Sequence, residues 1–220
     1  MIIKEFEPVE SGRTFIIGFP GTGMAGAISA EYIVHKLKFK HIGYVRDDEL
    51  PAVAIIRKSR PEAPIRIYAQ GDLVVIVSDI MIPDDFCGKF ARDLAEWVAS
   101  KDPREVIILG GSDKRGERKN YVISWKTRYL DEVEGLDLMK LGFVVGIYGP
   151  LMMEFLERDV PGYLALASAD PTPDPTAAAV LVKHISKRFN LNVDTTPLEK
   201  EGTRKKVKTP TWDPYPSIYG

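Results

Sequence analysis

Cysteine and histidine are scarce in this sequence, and their scarcity excludes several kinds of site. The 220 residues include one cysteine, Cys87, so the chain cannot form an internal disulfide, which is consistent with a reducing compartment. The three histidines, His35, His41 and His184, fit neither the ligand spacing of a zinc site nor that of a hydrolase triad. We therefore predict that the protein binds no metal and no cofactor.

The chain also lacks an excess of charge of either sign. It carries 30 lysines and arginines against 31 aspartates and glutamates, which gives a net charge of -1. This balance does not favour a nucleic acid or an anionic membrane surface as a partner, because both attract an excess of positive charge. We expect any partner to be recognised through local features.

Long apolar runs are absent as well. The longest uncharged stretch, residues 14–30, is broken by four glycines and a proline, so it is not a transmembrane helix. The opening segment "MIIKEFEPVESG" carries charge from position 4 and lacks the pattern of a signal peptide. These features predict a cytoplasmic protein.

What the sequence does contain is an alternation of β-type and helical patterns. Two of the strand patterns are separated only by Gly71-Asp72, which predicts a hairpin and hence a partly antiparallel sheet. The strand patterns are "TFIIGF", "HIGYV", "AVAIIRK", "IRIYAQ", "LVVIVSD", "EVIILGG", "FVVGIYG" and "YLALASAD", and the helical ones are "GAISAEYIVHKLKF", "PDDFCGKFARDLAEWVASKD", "PLMMEFLERD" and "PTAAAVLVKHISKRFN". We predict a three-layer α/β/α sandwich around a mixed sheet, formed by residues 1–198, with a C-terminal extension over residues 199–220.

A glycine-rich segment, "GFPGTGMAG", joins the first of these strands to the first helix. Gly21, Gly23 and Gly26 satisfy the G-x-G-x-x-G pattern, and Asp47 follows about twenty residues later, as in dinucleotide-binding folds. The competing interpretation is architectural: the glycines permit a sharp turn with positive φ and close packing of the helix on the sheet. We favour the architectural interpretation, because Phe19-Pro20 separates the strand from the motif and the next segments are typical of hairpins.

Other candidate groups have simple structural interpretations. Asp84 or Asp85 is predicted to cap the helix that follows, and Cys87 to be a small packing residue in its first turn. The segment from Gly110 to Glu117 is predicted to be a loop at a strand end, with ligand or subunit contact as the alternative. His35 and His184 are expected on solvated helix surfaces, and Met152, Met153, Phe155 and Leu156 on a buried helix face.

The segments "GFPGTGMAGAISAEYIVHKL" and "HIGYVRDDELP", together with the "GGS" at residues 110–112, resemble the proteasome assembly chaperone family, specifically its archaeal members. The resemblance covers residues from about 13 to 190. It implies an α/β sandwich without an established catalytic site, a homo-oligomer with a related paralogue as a possible partner, and an architectural role for the glycines. It also implies a 20S proteasome core particle as the partner.

The last three residues, Ile218-Tyr219-Gly220, are similar to the hydrophobic–tyrosine–any residue terminus of proteasome-activating ATPases. By that resemblance they bind between neighbouring α subunits of the core particle. The segment before them contains Pro210, Pro214 and Pro216, which restrict the backbone toward extended conformations. The sequence thus predicts a semi-stiff arm that presents Ile218, Tyr219 and Gly220 to the α ring.

Three hypotheses follow from the sequence. The first is a non-enzymatic proteasome-binding protein, either an assembly chaperone or an ATP-independent activator. The second is a nucleotide-binding enzyme that uses the turn from Gly21 to Gly26. The third is an oligomeric scaffold in which the tail, with Trp212, Tyr215 and Tyr219, packs against the protein itself. The first is the prediction that we carry forward.

Overall fold

Strands and helices alternate along the chain in the computed structural model, which describes residues 1–113 and 119–204. The strands are β1 (Ile2–Glu5), β2 (Thr14–Gly18), β3 (Lys40–Arg46), β4 (Ile55–Arg57), β5 (Arg60–Glu62), β6 (Ile65–Gln70), β7 (Leu73–Ser78), β8 (Glu105–Asp113), β9 (Tyr121–Ser124), β10 (Asp137–Leu138) and β11 (Gly162–Ala169). The helices are α1 (Ala25–Leu37), α2 (Cys87–Ala99), α3 (Arg128–Glu132), α4 (Tyr148–Glu157), α5 (Pro175–Arg188) and α6 (Thr196–Arg204).

Among the described residues, nine strands form one mixed sheet in the order β1-β3-β6-β7-β2-β8-β11-β9-β10. The four central strands, β7, β2, β8 and β11, run parallel to one another. Antiparallel pairs extend the sheet on both sides, through β6 and β3 on one and through β9 on the other. Strands β4 and β5 form a separate two-stranded hairpin.

Helices cover both faces of this sheet. Successive residues of a strand point to opposite faces, so Phe15 and Ile17 belong to one core and Ile16 to the other. The first core is completed by α2 and α4, and the second by α1, α5 and α6. The predicted three-layer α/β/α sandwich around a mixed, partly antiparallel sheet is confirmed.

The central strands have the sequences that this environment demands. Every residue of β2 and β7 is buried, because helices cover both faces of these strands. Strand β2 has a parallel neighbour on each edge, whereas β7 has the parallel β2 on one edge and the antiparallel β6 on the other. Such strands read as continuous apolar runs, which is why their patterns identified them. The predicted hairpin between β6 and β7 is also confirmed, and Gly71 has a φ of 54° at its turn.

One predicted strand is wrong. The run "FVVGIYG", residues 143–149, forms no strand: its first residues are irregular and Tyr148 begins α4. The sheet offers this run no place, because β11 already pairs with β8 on one side and with β9 on the other. Instead Gly146, with a φ of 66°, turns the chain into the helix. Strands β1, β5, β9 and β10 were not predicted.

The predicted aspartate cap of α2 is also wrong. The helix begins at Cys87 after Phe86, and no side chain caps it. A turn in which the Phe86 amide donates to the carbonyl oxygen of Pro83 leads directly into the first helical turn. Asp84 and Asp85 remain exposed to solvent.

The first part of the predicted tail is helical, since α6 extends through residue 204. The remainder, residues 205–220, lies outside the described residues, as does the segment 114–118. Within the described ranges, every helix is too short or too polar to cross a lipid bilayer.

Candidate functional site

The glycine-rich turn lies at the carboxyl ends of the parallel strands, between β2 and α1. Gly23 has a φ of 62°, a conformation that glycine adopts without steric cost. A Cβ atom built on Gly26 would lie 2.0 Å from the carbonyl oxygen of Leu109, so helix α1 touches strand β8 directly. The architectural roles predicted for these glycines, a positive φ and close packing, are confirmed.

Protein atoms occupy the space directly in front of the second glycine of the motif. In dinucleotide folds the second glycine of the motif allows the backbone to approach the pyrophosphate. Here a Cβ on that glycine, Gly23, would meet Cβ of Ala169 at 2.7 Å and the carbonyl oxygen of Asp170 at 2.8 Å. The Asp174 amide also donates to the carbonyl oxygen of Gly23 at 2.8 Å.

The acidic residue of the nucleotide hypothesis lies elsewhere in the fold. Asp47 follows β3, which is separated from β2 by both β6 and β7. Its carboxylate is buried and lies 2.9 Å from the amino group of Met1. The structure therefore does not bring Asp47 together with Gly21, Gly23 and Gly26.

A tyrosine that the sequence analysis missed completes the turn. Tyr148, the first residue of α4, is buried and donates a hydrogen bond to the carbonyl oxygen of Phe19. A Cβ on Gly21 would lie 3.0 Å from its ring, and one on Gly26 would lie 2.7 Å from its hydroxyl. Burial raises the pKa of Tyr148 above its ordinary range, so the hydroxyl stays protonated and acts as a donor. Tyr148 thus contacts the turn at Phe19, Gly21 and Gly26.

Beside this turn the structure has a cleft of about 790 Å³, at the carboxyl ends of the parallel strands where α/β folds commonly bind ligands. Gly21 and Thr22 form one wall, and the segment from Phe143 to Ile147 forms another. Met81, Ile82 and Leu166 add further apolar surface, and Asp84 and Ser112 add polar groups. The cleft is consequently mixed in character, with apolar side chains on several sides.

The thiol of Cys87 at the cleft is poorly placed to act as a nucleophile. Cys87 is buried, its thiol pointing to the carbonyl oxygen of Ile82 at 3.7 Å. Burial, together with the negative charges of Asp84 and Asp85, raises the pKa of Cys87, which disfavours the reactive thiolate. The prediction that Cys87 is a packing residue is confirmed. In the part of the chain described, no cluster of three or more His, Cys, Asp or Glu side chains is arranged to hold a metal ion.

The loop predicted between Gly110 and Glu117 is described only in part. Residues 110–113 continue strand β8, whereas 114–117 lie outside the described residues. Gly111 is required by close packing, since a Cβ there would lie 2.0 Å from the carbonyl oxygen of Thr22. Ser112 lines the cleft, and its hydroxyl donates to the carbonyl oxygen of Ala167 at 3.5 Å.

The histidines differ in their surroundings. His35 is exposed, as predicted, and lies 2.9 Å from Glu31. His184 is not on a solvated surface: it is half-buried, and its Nε2 shares a 2.8 Å hydrogen bond with the Tyr163 hydroxyl. Burial, reinforced by the positive charges of Arg188 and Lys187, lowers the pKa of His184 to about 4. The lysine neighbours suggested exposure, but helical spacing turns the ring toward β11.

A charged cluster that the sequence analysis missed holds the β4–β5 hairpin against the main sheet. Arg66 is completely buried and pairs with Asp79 and, at 3.0 Å, with Glu31. Arg57 of the hairpin pairs with the same two carboxylates, at 2.9 Å to Asp79 and 2.8 Å to Glu31. In β6, Arg66 stands between the apolar residues Ile65 and Ile67. A charged residue within an otherwise apolar strand was the sequence signal that could have indicated this cluster.

Large apolar side chains on the surface form a second feature that was missed. Leu141, Phe143 and Val145 are 93%, 96% and 80% exposed. On α4, Leu151 and Phe155 are buried, but Met153 and Leu156 are exposed, which corrects the predicted buried face. Helical spacing places Leu151 and Phe155 on one side and Met153 on another. Exposed apolar residues in succession mark interaction surfaces.

The residues predicted to bind a partner, Ile218, Tyr219 and Gly220, lie outside the described residues.

Comparison with known proteins identifies relatives of this chain. The model of the PAC2 family matches residues 15–208 of this chain. The chain belongs to the PAC2 family. This PAC2 chain is also 31% identical over 189 residues to the uncharacterized protein MJ0106 of Methanocaldococcus jannaschii, covering 84% of this chain and 79% of that one.

Solved structures show the same fold. The PAC2 chain is similar to Pyrococcus furiosus PbaA, described as an archaeal homolog of proteasome-assembly chaperone, with a TM-score of 0.85 and 27% identity, covering 93% of this chain and 88% of that one. It is also similar in fold to Pyrococcus furiosus PbaB, described as an archaeal proteasome activator, with a TM-score of 0.80 and 23% identity, covering 93% and 95%.

Proposed function

We propose that this chain is a non-enzymatic proteasome-binding protein, acting as an assembly chaperone or as an ATP-independent activator. The observation that carries the proposal is the similarity to PbaA over 93% of the chain at 27% identity. PbaA is described as an archaeal homolog of proteasome-assembly chaperone. The packed glycine turn and the protonated, buried thiol of Cys87 give this proposal further support.

The binding element in this proposal is the tripeptide Ile218-Tyr219-Gly220. The carboxylate of Gly220 offers a charge that a lysine in a receptor pocket can pair with. Tyr219 offers a large flat ring with a hydroxyl, and Ile218 adds apolar burial. The pockets between neighbouring α subunits of the 20S core particle are the proposed receptor.

We further propose a homo-oligomer, because a single tripeptide buries too little surface to bind tightly. Several tails on one assembly bind with higher overall affinity, since each later contact becomes intramolecular. Analytical ultracentrifugation of the full chain tests this directly. A sedimentation coefficient of a monomer across the concentration range would contradict it.

The decisive experiment measures the peptidase activity of a purified core particle with and without this protein. The variants are Tyr219→Ala and a chain that lacks residues 218–220. Ser217→Ala is the matched control, because it changes the neighbouring residue and leaves the tripeptide intact. An activator stimulates peptidase activity, and the stimulation disappears in the first two variants but persists in the control.

An assembly chaperone gives a different result in a second assay. It accelerates formation of the core particle from separate α and β subunits, without stimulating the assembled particle. The same variants report whether this effect also needs the tripeptide. Failure to co-sediment with either the core particle or its α subunits would contradict the proposal.

A further inference from the structure

The β4–β5 hairpin belongs to neither of the two cores. None of residues 51–61 is buried, and within that range only Ile55 and Arg57 are half-buried. Ile56 of β4 is 66% exposed. A two-stranded hairpin without a packed face is at best marginally stable in water. The hairpin therefore depends on its attachment to the main sheet.

The turn of the hairpin increases this dependence. Arg57 pairs with Arg60 across the two strands, so Lys58 and Ser59 form a two-residue turn. Their φ values are 50° and 61°. Glycine, asparagine and aspartate are the usual residues in this left-handed conformation, which is strained for lysine and serine. Local preferences thus oppose the turn, and the attachment of the hairpin has to offset them.

Arg57 supplies that attachment. Its Nη1 lies 2.8 Å from Oε1 of Glu31, and its Nη2 lies 2.9 Å from Oδ1 of Asp79. Its remaining nitrogen, Nε, lies 3.4 Å from Glu62 of the hairpin itself and forms no hydrogen bond with the described residues. One guanidinium therefore spans two carboxylates outside the hairpin, one on α1 and one directly after β7.

Arg66 holds the same two carboxylates in place from the buried side. It contacts the other oxygen of each, Oε2 of Glu31 at 3.0 Å and Oδ2 of Asp79. The Arg66 side chain is completely buried, whereas those of Glu31 and Asp79 are 21% and 24% exposed. Two negative charges face one buried positive charge, so the pair can accept one further cation. Carboxylates fixed in this way match the planar fork of a guanidinium.

We propose that Glu31 and Asp79 form a binding site for a guanidinium group, which Arg57 fills here and which an arginine side chain of another protein fills when the hairpin moves away. The guanidinium of Arg57 seated on this pair identifies the class of ligand. The single ammonium of a lysine is a point charge and does not reproduce the two-carboxylate contact.

In this arrangement the hairpin is a strap that closes the site. Its tether gives Arg57 a high effective concentration, so an arginine from another protein displaces it only when that protein is itself held close. The inference does not rest on the proposed function, because Arg57, Glu31 and Asp79 meet whether or not the chain binds a proteasome.

Amide hydrogen exchange of the full chain tests the strap. In Arg57→Ala the amides of residues 55–62 should exchange at least about tenfold faster than in the wild type, because the hairpin loses the contacts that close it. Amides of β7 should exchange at the wild-type rate. Wild-type exchange in the hairpin of this variant would overturn the proposal, as would equally faster exchange throughout β7, which would indicate general destabilisation.

Arg60→Ala is the matched control for this measurement. Arg60 is exposed, lies opposite Arg57 on the same hairpin and forms no ion pair within the described part of the chain. Its removal should leave hairpin exchange unchanged. Acceleration equal to that of Arg57→Ala would show that any charge on the hairpin has this effect, against the role assigned to Arg57.

The site itself is tested with N-acetylarginine methylamide as the probe. The probe should bind Arg57→Ala saturably and raise its melting temperature by about 3–6 °C at ten times Kd, because it occupies the vacated site. The wild type and Arg60→Ala should show no such shift, since Arg57 fills their site. N-acetyllysine methylamide should bind Arg57→Ala at least about fivefold more weakly. Equal affinity for the two probes, or equal shifts in all three proteins, would contradict a guanidinium site.

Arg57→Lys keeps the proposal testable if Arg57→Ala does not fold. Lysine retains the charge but lacks the fork, so hairpin exchange should still be at least about threefold faster than in the wild type. Exchange at the wild-type rate would show that a positive charge alone closes the strap, and would overturn the assignment of a guanidinium site.

Discussion

The hydroxyl of Tyr148 donates a hydrogen bond to the carbonyl oxygen of Phe19, across 129 positions of the sequence. Phe19 follows the last residue of β2, and Tyr148 is the first residue of α4. The same tyrosine ring lies against the position of a Cβ on Gly21. One buried side chain therefore connects the glycine turn, helix α4 and the wall of the cleft.

Removing that hydroxyl should destabilise the protein. In Tyr148→Phe the buried carbonyl oxygen of Phe19 loses its donor, so the free energy of unfolding should fall by about 1–3 kcal/mol. Urea denaturation measures the change. Tyr32→Phe is the control: its hydroxyl donates to the Asp194 carbonyl at an exposed site, where water replaces it. Equal losses in the two variants would show that burial of the Tyr148 bond has no special effect.

Gly26 should not tolerate a side chain. Gly26→Ala would bring Cβ to 2.0 Å from the backbone oxygen of Leu109, which cannot move without displacing β8. We expect a loss of about 3 kcal/mol or more, or failure to fold, because overpacking a tight contact forces backbone shifts. Thermal unfolding monitored by circular dichroism detects either result.

The control for this substitution is Gly88→Ala on α2. A Cβ at Gly88 meets no atom within 4 Å, and the helix gains propensity. Its stability should rise by about 0.5–1 kcal/mol. Opposite signs for the two glycines are expected, and a wild-type melting temperature for Gly26→Ala would refute the close packing described here.

The buried arginine should depend on its carboxylates. Burial alone would lower the pKa of Arg66, but Asp79 and Glu31 outweigh it and raise the pKa, so the guanidinium remains charged. Asp79→Asn removes one of the negative charges that face Arg66, whose side chain is completely buried. We expect a loss of about 3 kcal/mol, because an undercompensated buried charge is costly.

An exposed ion pair is the matched comparison. Glu10→Gln breaks the 2.6 Å contact with Arg13, in which Glu10 is 75% exposed. The loss there should be below about 1 kcal/mol, because water and salt screen surface pairs. Chemical denaturation of both variants at one salt concentration makes the comparison. Equal small losses would mean that the cluster around Arg66 is not important for stability.

His184 should make stability depend on pH. Its pKa is about 4 in the folded protein and 6.5 as a free side chain, so the unfolded chain binds more protons between these values. Stability is therefore complete above pH 6.5 and falls as the pH decreases toward 4, by on the order of 2–3 kcal/mol.

The substitution His184→Gln should remove this part of the pH dependence, measured by urea denaturation at pH 7, 5.5 and 4. His35→Gln is the control, because His35 is exposed and should leave the wild-type dependence intact. A His184→Gln profile parallel to that of the wild type would contradict the buried environment of His184.

The segments predicted well from sequence are those with one strong local determinant. β2, β7 and β8 are continuous apolar runs because neighbours surround them, and Gly71 marks the turn of a hairpin by its conformation. Segments with weak or misleading local signals were missed. β9 is short and partly exposed, whereas the apolar run at residues 143–147 looks like a strand but has no strand beside it.

Local chemistry was thus sufficient for the three-layer fold, for the sharp turn at Gly23 and for the packing role of Cys87. Each depends on the residue itself or on its immediate sequence neighbours. The family resemblance drawn from the glycine segment is confirmed by the match of the PAC2 family model to residues 15–208.

Tertiary structure alone decided which distant groups meet. It separated Asp47 from the glycine turn, enclosed His184, placed Arg66 among carboxylates and brought Tyr148 against the glycine turn. These relationships follow from the order of the strands in the sheet and from how closely the helices pack on it. Local periodicity specifies which face of an element is buried, but it does not specify which neighbour that face will meet.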